Sequence, residues 1–230
     1  MKNYKLTVQK GLITWIENMD ENGNPIEGTL FIPKEAVAFH PDAWTLLGCQ
    51  ANGIVVEKDN PFFSSAHNCL LSKDGQTLIK VCKNSDLSRL SGLKTIGPNA
   101  FNDLGEERET FTFRIPDSVT TLAYQAFAMS AKTVNITVPC SVSKIDELAF
   151  IIHSEQTHII FEGDAELEIG AFGTQEEAAD SFNELYHSMP AILYPPRERL
   201  LISCPANTKL AQYCKKYKIP VSTQPKNTKE

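Results

Sequence analysis

The sequence predicts a mainly β fold with short helices, a solenoid of short coils capped at both ends. Three observations predict it. IPDSVTTLAYQAF at residues 115–127 returns 23 residues later as VPCSVSKIDELAF at 138–150. An Ala-aromatic pair stands at Ala43-Trp44, Ala100-Phe101, Ala126-Phe127, Ala149-Phe150 and Ala171-Phe172, with separations of 57, 26, 23 and 22 residues. Apolar and polar residues alternate just ahead of two of the retained prolines. A period of about 20 to 50 residues is how a solenoid is written, because one repeat cannot bury its apolar face alone.

The retained positions explain themselves as columns. Four residues before each Ala stands Phe39, Ile96, Leu122, Ile145 or Leu167, and seven before stands Ala36, Leu93, Val119 or Val142, with Asp164 breaking the pattern in the fifth copy. Ten before stands Pro33, Pro116 or Pro139, replaced by Leu90 and Phe161 in the second and fifth copies. Ahead of the prolines, Phe111, Phe113 and Ile115 alternate with Thr112 and Arg114, and Val134, Ile136 and Val138 alternate with Asn135 and Thr137. A period of two with one apolar face is a strand, and proline ends it because it brings no N–H to the ladder. The Val, the aliphatic residue and the Phe then turn inward, and the small Ala lets one coil approach the next.

This unit, x-I-P-x-x-V-x-x-I-x-x-x-A-F, resembles the BspA-like leucine-rich repeat family over about residues 29 to 220. The resemblance implies a right-handed leucine-rich-repeat-like solenoid with short strands. Residues 53–81 look like the hairpin insertion such proteins carry, with Lys73-Asp74-Gly75 as its tight turn. Residues 202–220, ISCPANTKLAQYCKKYKIP, look like the closing strand and capping helix. The family also implies bacterial and protist proteins that adhere to host or extracellular-matrix proteins and that are often secreted or surface-exposed.

In chain order this gives one domain over residues 1–220. Residues 4–17 alternate weakly and ENGNPIEG (21–28) is turn chemistry, so 1–28 reads as a hairpin capping the first coil. Repeats occupy 29–172 around the 53–81 insertion. In 173–220, Thr174 with Glu177 three residues on has the form of a capping box opening a short helix, followed by the C-terminal cap. The polar end, 221–230, reads as a flexible tail.

Composition sets further bounds. The chain of 230 residues is 42% hydrophobic, enough for a substantial core. A net charge of −6, with no basic run longer than Lys215-Lys216, argues against nucleic acid, whose binding needs clustered cations. The N-terminus lacks the uninterrupted apolar stretch of a signal peptide, and no run approaches a membrane span, so the sequence reads as cytoplasmic if Met1 is the native start. The cysteines at 49, 69, 82, 140, 204 and 214 offer no CxxC spacing for zinc. They read as free, mostly buried thiols, with a disulfide framework as the alternative in an oxidising compartment.

No catalytic motif, metal set or cofactor is expected. His67 and Cys69, near Asp59 and Asp74, share a strand face but bring no orienting group or oxyanion donors. His153 and His158 lack a carboxylate at ligand spacing. The function expected is therefore a non-enzymatic protein-interaction module using the sheet face of the solenoid, through Thr29, Phe31, Thr112, Arg114, Asn135 and Thr137. A carbohydrate or small-molecule binder, with Phe62, Phe63, Tyr186 and Tyr194 stacking around a pocket, is the alternative, as is a secreted host-matrix adhesin fragment.

Overall fold

A computed structural model describes residues 4–17, 21–22, 26, 28–40, 51–82, 84–102, 109–181 and 194–224 of the chain. The first Ala-aromatic pair, Ala43-Trp44, lies outside the described residues. The fold is mainly β with short helices, and it resolves into two compact units, residues 1–93 with 100–104 and residues 94–99 with 105–230.

In the first unit, β1 (Lys5–Gln9) and β2 (Leu12–Glu17) form an antiparallel hairpin. Its turn residues Lys10 and Gly11 both have positive φ, 51° and 81°, the left-handed pair that matches the twist of a two-residue hairpin. Then follow β3 (Thr29–Ile32), β4 (Ala38–Phe39) and β5 (Gly53–Val56), with β2 parallel to β4 and β3 parallel to β5. β5 is thus a coil strand, and the antiparallel excursion starts later, with β6 (Phe63–Ala66), β7 (Cys69–Ser72) and β8 (Thr77–Val81). The expected turn at Lys73–Gly75 joins β7 to β8, closed by Gly75 N–H to the Ser72 carbonyl at 2.9 Å. A second turn, His67-Asn68, joins β6 to β7 with both residues left-handed. Ile13, Ile16, Leu30, Ile32, Ile54 and Leu70 pack in the core. Buried Asn60 is satisfied at both ends of its amide: Nδ2 donates to the Pro33 and Ala36 carbonyls, and Oδ1 accepts from the Phe62 and Phe63 N–H groups.

The second unit is the regular solenoid. In chain order its strands are β9 (Thr95–Ile96), β10 (Thr110–Arg114), β11 (Thr121–Leu122), β12 (Met129–Ser130), β13 (Thr133–Val138), β14 (Lys144–Ile145), β15 (Ile152–His153), β16 (Gln156–Phe161), β17 (Glu166–Leu167), β18 (Leu200–Pro205) and β19 (Val221–Gln224). Each coil contributes one strand to each of several parallel ladders. The long strands stack in the order β10-β13-β16-β18-β19, the short ones pair as β9-β11-β14-β17, and β12 pairs with β15. Register follows the repeat: Thr112 lies opposite Asn135, and Asn135 opposite His158, 23 residues further each time.

The expected columns are present. Val119, Leu122, Ala126 and Phe127 are buried, as are Val142, Ile145, Ala149 and Phe150. Phe127 and Phe150 stack with ring centroids 5.4 Å apart and planes 9° from parallel, and Phe150 stacks on Phe172 at 5.7 Å and 16°. Backbone hydrogen bonds explain the rest of the motif. The Pro33, Pro116 and Pro139 carbonyls each accept the N–H of the residue three on, Ala36, Val119 or Val142, so proline both ends the strand and opens the turn. The residue before each Ala is left-handed: Asn99 (55°), Gln125 (53°), Leu148 (57°) and Gly170 (90°). At this corner the Phe127 N–H donates to the Ala149 carbonyl and the Phe150 N–H to the Ala171 carbonyl, a close approach that a large side chain in place of Ala would crowd.

The irregular fifth copy is where the array ends. Asp164, standing where Val119 and Val142 stand, accepts the Lys209 and Leu210 N–H groups at 3.1 and 3.2 Å, while Thr208 Oγ1 accepts the Ala211 N–H. Together they cap the closing helix Lys209–Lys216. The capping box at Thr174 and Glu177 also forms, opening the helix Gln175–Ala178. Glu177 is fully buried and accepts from the Phe172 and Thr174 N–H groups, the Thr174 hydroxyl and the Tyr213 hydroxyl. Burial pushes its carboxyl up, and these donors partly offset that. The segment read as a tail from 221 begins instead as a strand: β19 pairs in parallel with β18, because the ladder is made by backbone groups and needs no apolar alternation.

Candidate protein-binding face

The outward side of the β10-β13-β16-β18-β19 sheet is built by alternation. Inward residues such as Phe111, Val134, Ile136, Ile159 and Ile202 fill the core, which leaves the residues between them on a surface whose identities packing does not dictate. Two rows cross the sheet. One runs Thr112, Asn135, His158, Leu201, and the other Arg114, Thr137, Ile160, Ser203, Ser222. At about 4.8 Å between strands, the longer row spans roughly 19 Å.

Four of the six residues expected on a binding face stand together here: Thr112 beside Asn135 and Arg114 beside Thr137. Thr29 and Phe31 lie on β3 of the other unit, where Phe31 (49% exposed) pairs with Val55 (46% exposed). Arg114 is engaged within its own unit. Its Nη1 meets Glu162 Oε1 at 2.5 Å, and its Nη2 meets Glu162 Oε2 at 3.0 Å and Asp117 Oδ1 at 2.8 Å. Since all three side chains are exposed or nearly so, these pairs contribute about 1 kcal/mol at most and can be exchanged for a carboxylate arriving from outside.

The sequence reading missed the apolar part of this face. Ile160 and Leu201 are 38% and 40% exposed, on adjacent strands and diagonal to each other, while His158 Nε2 and Ser203 Oγ form a 2.8 Å hydrogen bond along the other diagonal, between them. Their signal was hidden because Ile159-Ile160 and Leu200-Leu201-Ile202 are continuous apolar runs, in which period two cannot separate the inward from the outward member.

The other chemistry considered from the sequence does not assemble. Cys69 is buried, its Sγ lies 3.7 Å from the His67 carbonyl, and burial pushes the thiol up to about 11, away from the thiolate that nucleophilic attack requires. Of the aromatics offered for a sugar pocket, Phe63 and Tyr194 are buried, Phe62 is exposed, and Tyr186 lies outside the described residues. Desolvation pushes His153 down from its usual range. Among the described residues, no group of three His, Cys, Asp or Glu side chains is placed to hold a metal, and no helix is long and apolar enough to cross a membrane. Cys69, Cys82, Cys140, Cys204 and Cys214 are free, all buried except Cys140, while Cys49 lies outside the described residues.

No curated protein matches the chain. Among solved structures it is similar to one described as the crystal structure of pneumococcal vaccine antigen PcpA, at a TM-score of 0.35 and 15% identity, covering 87% of this chain and 55% of that one. Residues 75–176 match the BspA type leucine rich repeat region in six copies, a span that contains every regular Ala-Phe corner described above. With its proline turns, buried Phe stack and parallel ladders, this part of the chain is similar to the BspA type leucine rich repeat region.

Proposed function

We propose that the protein is a non-enzymatic interaction module that binds a protein partner on the outward face of β10, β13, β16, β18 and β19. The observation that carries this reading is the exposed Ile160–Leu201 pair set among polar neighbours, because an apolar anchor with a polar surround is how interface centres are built. Burying the remaining exposed part of the two side chains, about two fifths of each, would contribute on the order of 0.5 to 1 kcal/mol each. Thr112, Asn135 and Thr137 supply hydrogen-bonding groups around them, and Arg114 supplies a guanidinium that can trade Glu162 for an acidic group on the partner.

The test is affinity capture from native lysate with the immobilised protein, followed by titration of each captured protein against variants. Ile160→Asp and Leu201→Asp are expected to weaken a true partner by about 30-fold or more, the effect of losing a hot spot, while leaving the fold intact because both side chains are surface-exposed. Arg114→Glu should weaken it too, by repulsion from the partner's acid. Lys144→Glu is the control, since Lys144 sits on the short-strand ladder and pairs with Asp146 at 2.7 Å. Undiminished binding by both Ile160→Asp and Leu201→Asp would remove this face from the reading.

A further inference from the structure

At the amino ends of β13 and β16, a shallow cavity of about 320 Å³ opens among Ser130, Lys132, His153, Glu155 and Arg199. Its walls come from three separate turns, those leading into β13, β16 and β18. They are tied together by hydrogen bonds to backbone carbonyls: the Glu155 and Gln156 N–H groups both donate to the Lys132 carbonyl, at 3.1 and 3.3 Å, and the Arg199 side chain donates through Nη1 to the Ser154 carbonyl at 3.4 Å. Ser130 and His153 face the same cavity from paired positions of β12 and β15.

The cations around this cavity are unequally partnered. Within the single turn Arg197-Glu198-Arg199, Arg197 pairs with Glu176 at 2.6 Å and with Glu198 at 3.2 Å, whereas Arg199 has no carboxylate partner among the described residues. Its guanidinium has five donors in a planar fork that fits a carboxylate in bidentate fashion, and among the described residues it makes one side-chain bond, to Ser154. Two cations, Lys132 and Arg199, and one carboxylate, Glu155, line the cavity. Lys132 is further offset by Glu109, 3.1 Å from its Nζ. Arg199 is the cation left over.

We propose that this cavity is a subsite for one carboxylate group, gripped by the Arg199 guanidinium and flanked by the Ser130 hydroxyl and the His153 ring. One guanidinium without a carboxylate partner among the described residues suits a monoanion, while a phosphate dianion would meet repulsion from Glu155 and Glu109. The volume suits a short acidic side chain or a chain terminus rather than an extended ligand. The inference rests on the protein-binding reading only for what presents the carboxylate, so it is tested with small probes that need no partner.

The intact protein is titrated with N-acetylglutamic acid α-amide, N-acetylalanine, N-acetylglutamine amide and inorganic phosphate, following the Arg199 Nε–H and the His153 Cε1–H by NMR. One of the two carboxylates is expected to saturate both signals with a Kd on the order of 1 to 10 mM, and which of them does so distinguishes a side-chain from a C-terminal carboxylate. The glutamine amide should do nothing. Arg199→Gln should weaken the carboxylate at least about tenfold, Arg199→Lys by less, and Glu155→Gln should tighten it by about two- to fivefold through loss of the opposing charge. Unsaturable shifts with both carboxylates, saturation that survives Arg199→Gln, or phosphate binding tighter than either carboxylate would each overturn the assignment. The Ile160 and Leu201 variants should leave the titration unchanged, so failure here is separable from failure of the sheet-face reading.

Discussion

Replacing Phe150 by Ala tests the architecture where it is most exposed to refutation. Phe150 is 2% exposed and sandwiched, with Phe127 stacked on one side at 5.4 Å, Phe172 on the other at 5.7 Å, and the edge of Phe161 at 6.2 Å. Phe→Ala in a core costs about 3 to 5 kcal/mol from lost transfer energy plus the cavity. Two features place this site in the upper half of that range. The coils on either side are held at their spacing by backbone bonds, Phe127 N–H to Ala149 and Phe150 N–H to Ala171, so the gap cannot close by sliding. The substitution also removes two stacked ring pairs, each about 0.5 to 1.5 kcal/mol beyond area burial.

A loss of about 4 to 5 kcal/mol is therefore expected, read as a fall in the denaturant midpoint at unchanged slope and as a drop in Tm of roughly 8 to 20 °C. Phe150→Leu, which refills most of the volume, should cost about 1 to 2 kcal/mol. A double-mutant cycle of Phe127→Leu with Phe150→Leu should return a coupling of about 0.5 to 1.5 kcal/mol, because the two rings touch. A loss below about 1 kcal/mol for the alanine variant would mean that the rings do not form a packed column, and the explanation given for the Ala-Phe repeat would fall with it.

Two further expectations concern the closing helix and the thiols. Asp164→Ala should destabilise by about 1 to 3 kcal/mol, since it strips the Lys209 and Leu210 N–H groups of their acceptor, and hydrogen exchange should quicken first in the helix Lys209–Lys216; equal quickening across β13 and β16 would show that Asp164 is not the helix's cap. Among the five described cysteines, a thiol reagent should label exposed Cys140 quickly in the native protein and Cys69, Cys82, Cys204 and Cys214 only on unfolding, helped by burial that pushes Cys214 up to about 12; rapid native labelling of the buried four would contradict their placement.

The features legible in the sequence are those that recur with the coil, because a repeated packing problem has a repeated solution. Pro116 and Pro139, Val119 and Val142, and Phe127 and Phe150 meet the same turn, the same core wall and the same stack, so their identity is constrained copy by copy. Backbone geometry that side chains merely tolerate leaves no such mark. Gln125 and Leu148 occupy a left-handed position that Gly170 fills without strain, at a cost of roughly 1 to 2 kcal/mol each, and no propensity would have chosen them. The closed backbone of the coil imposes that corner regardless.

The candidate site was half legible for a related reason. Thr112, Arg114, Asn135 and Thr137 were readable as outward because their inward neighbours are apolar and they are not. Ile160 and Leu201 are outward and apolar, so alternation disguised them as core. That disguise is itself informative: a position that the fold leaves free, and that nonetheless carries a large aliphatic side chain, forgoes solvation that a polar residue would have kept. Single exposed apolar residues are ordinary on protein surfaces. Two on adjacent strands of one sheet, on one diagonal of a square whose other diagonal is the His158–Ser203 hydrogen bond, present two apolar points on either side of a polar one, which is why we propose the binding face there and not at Arg114 alone.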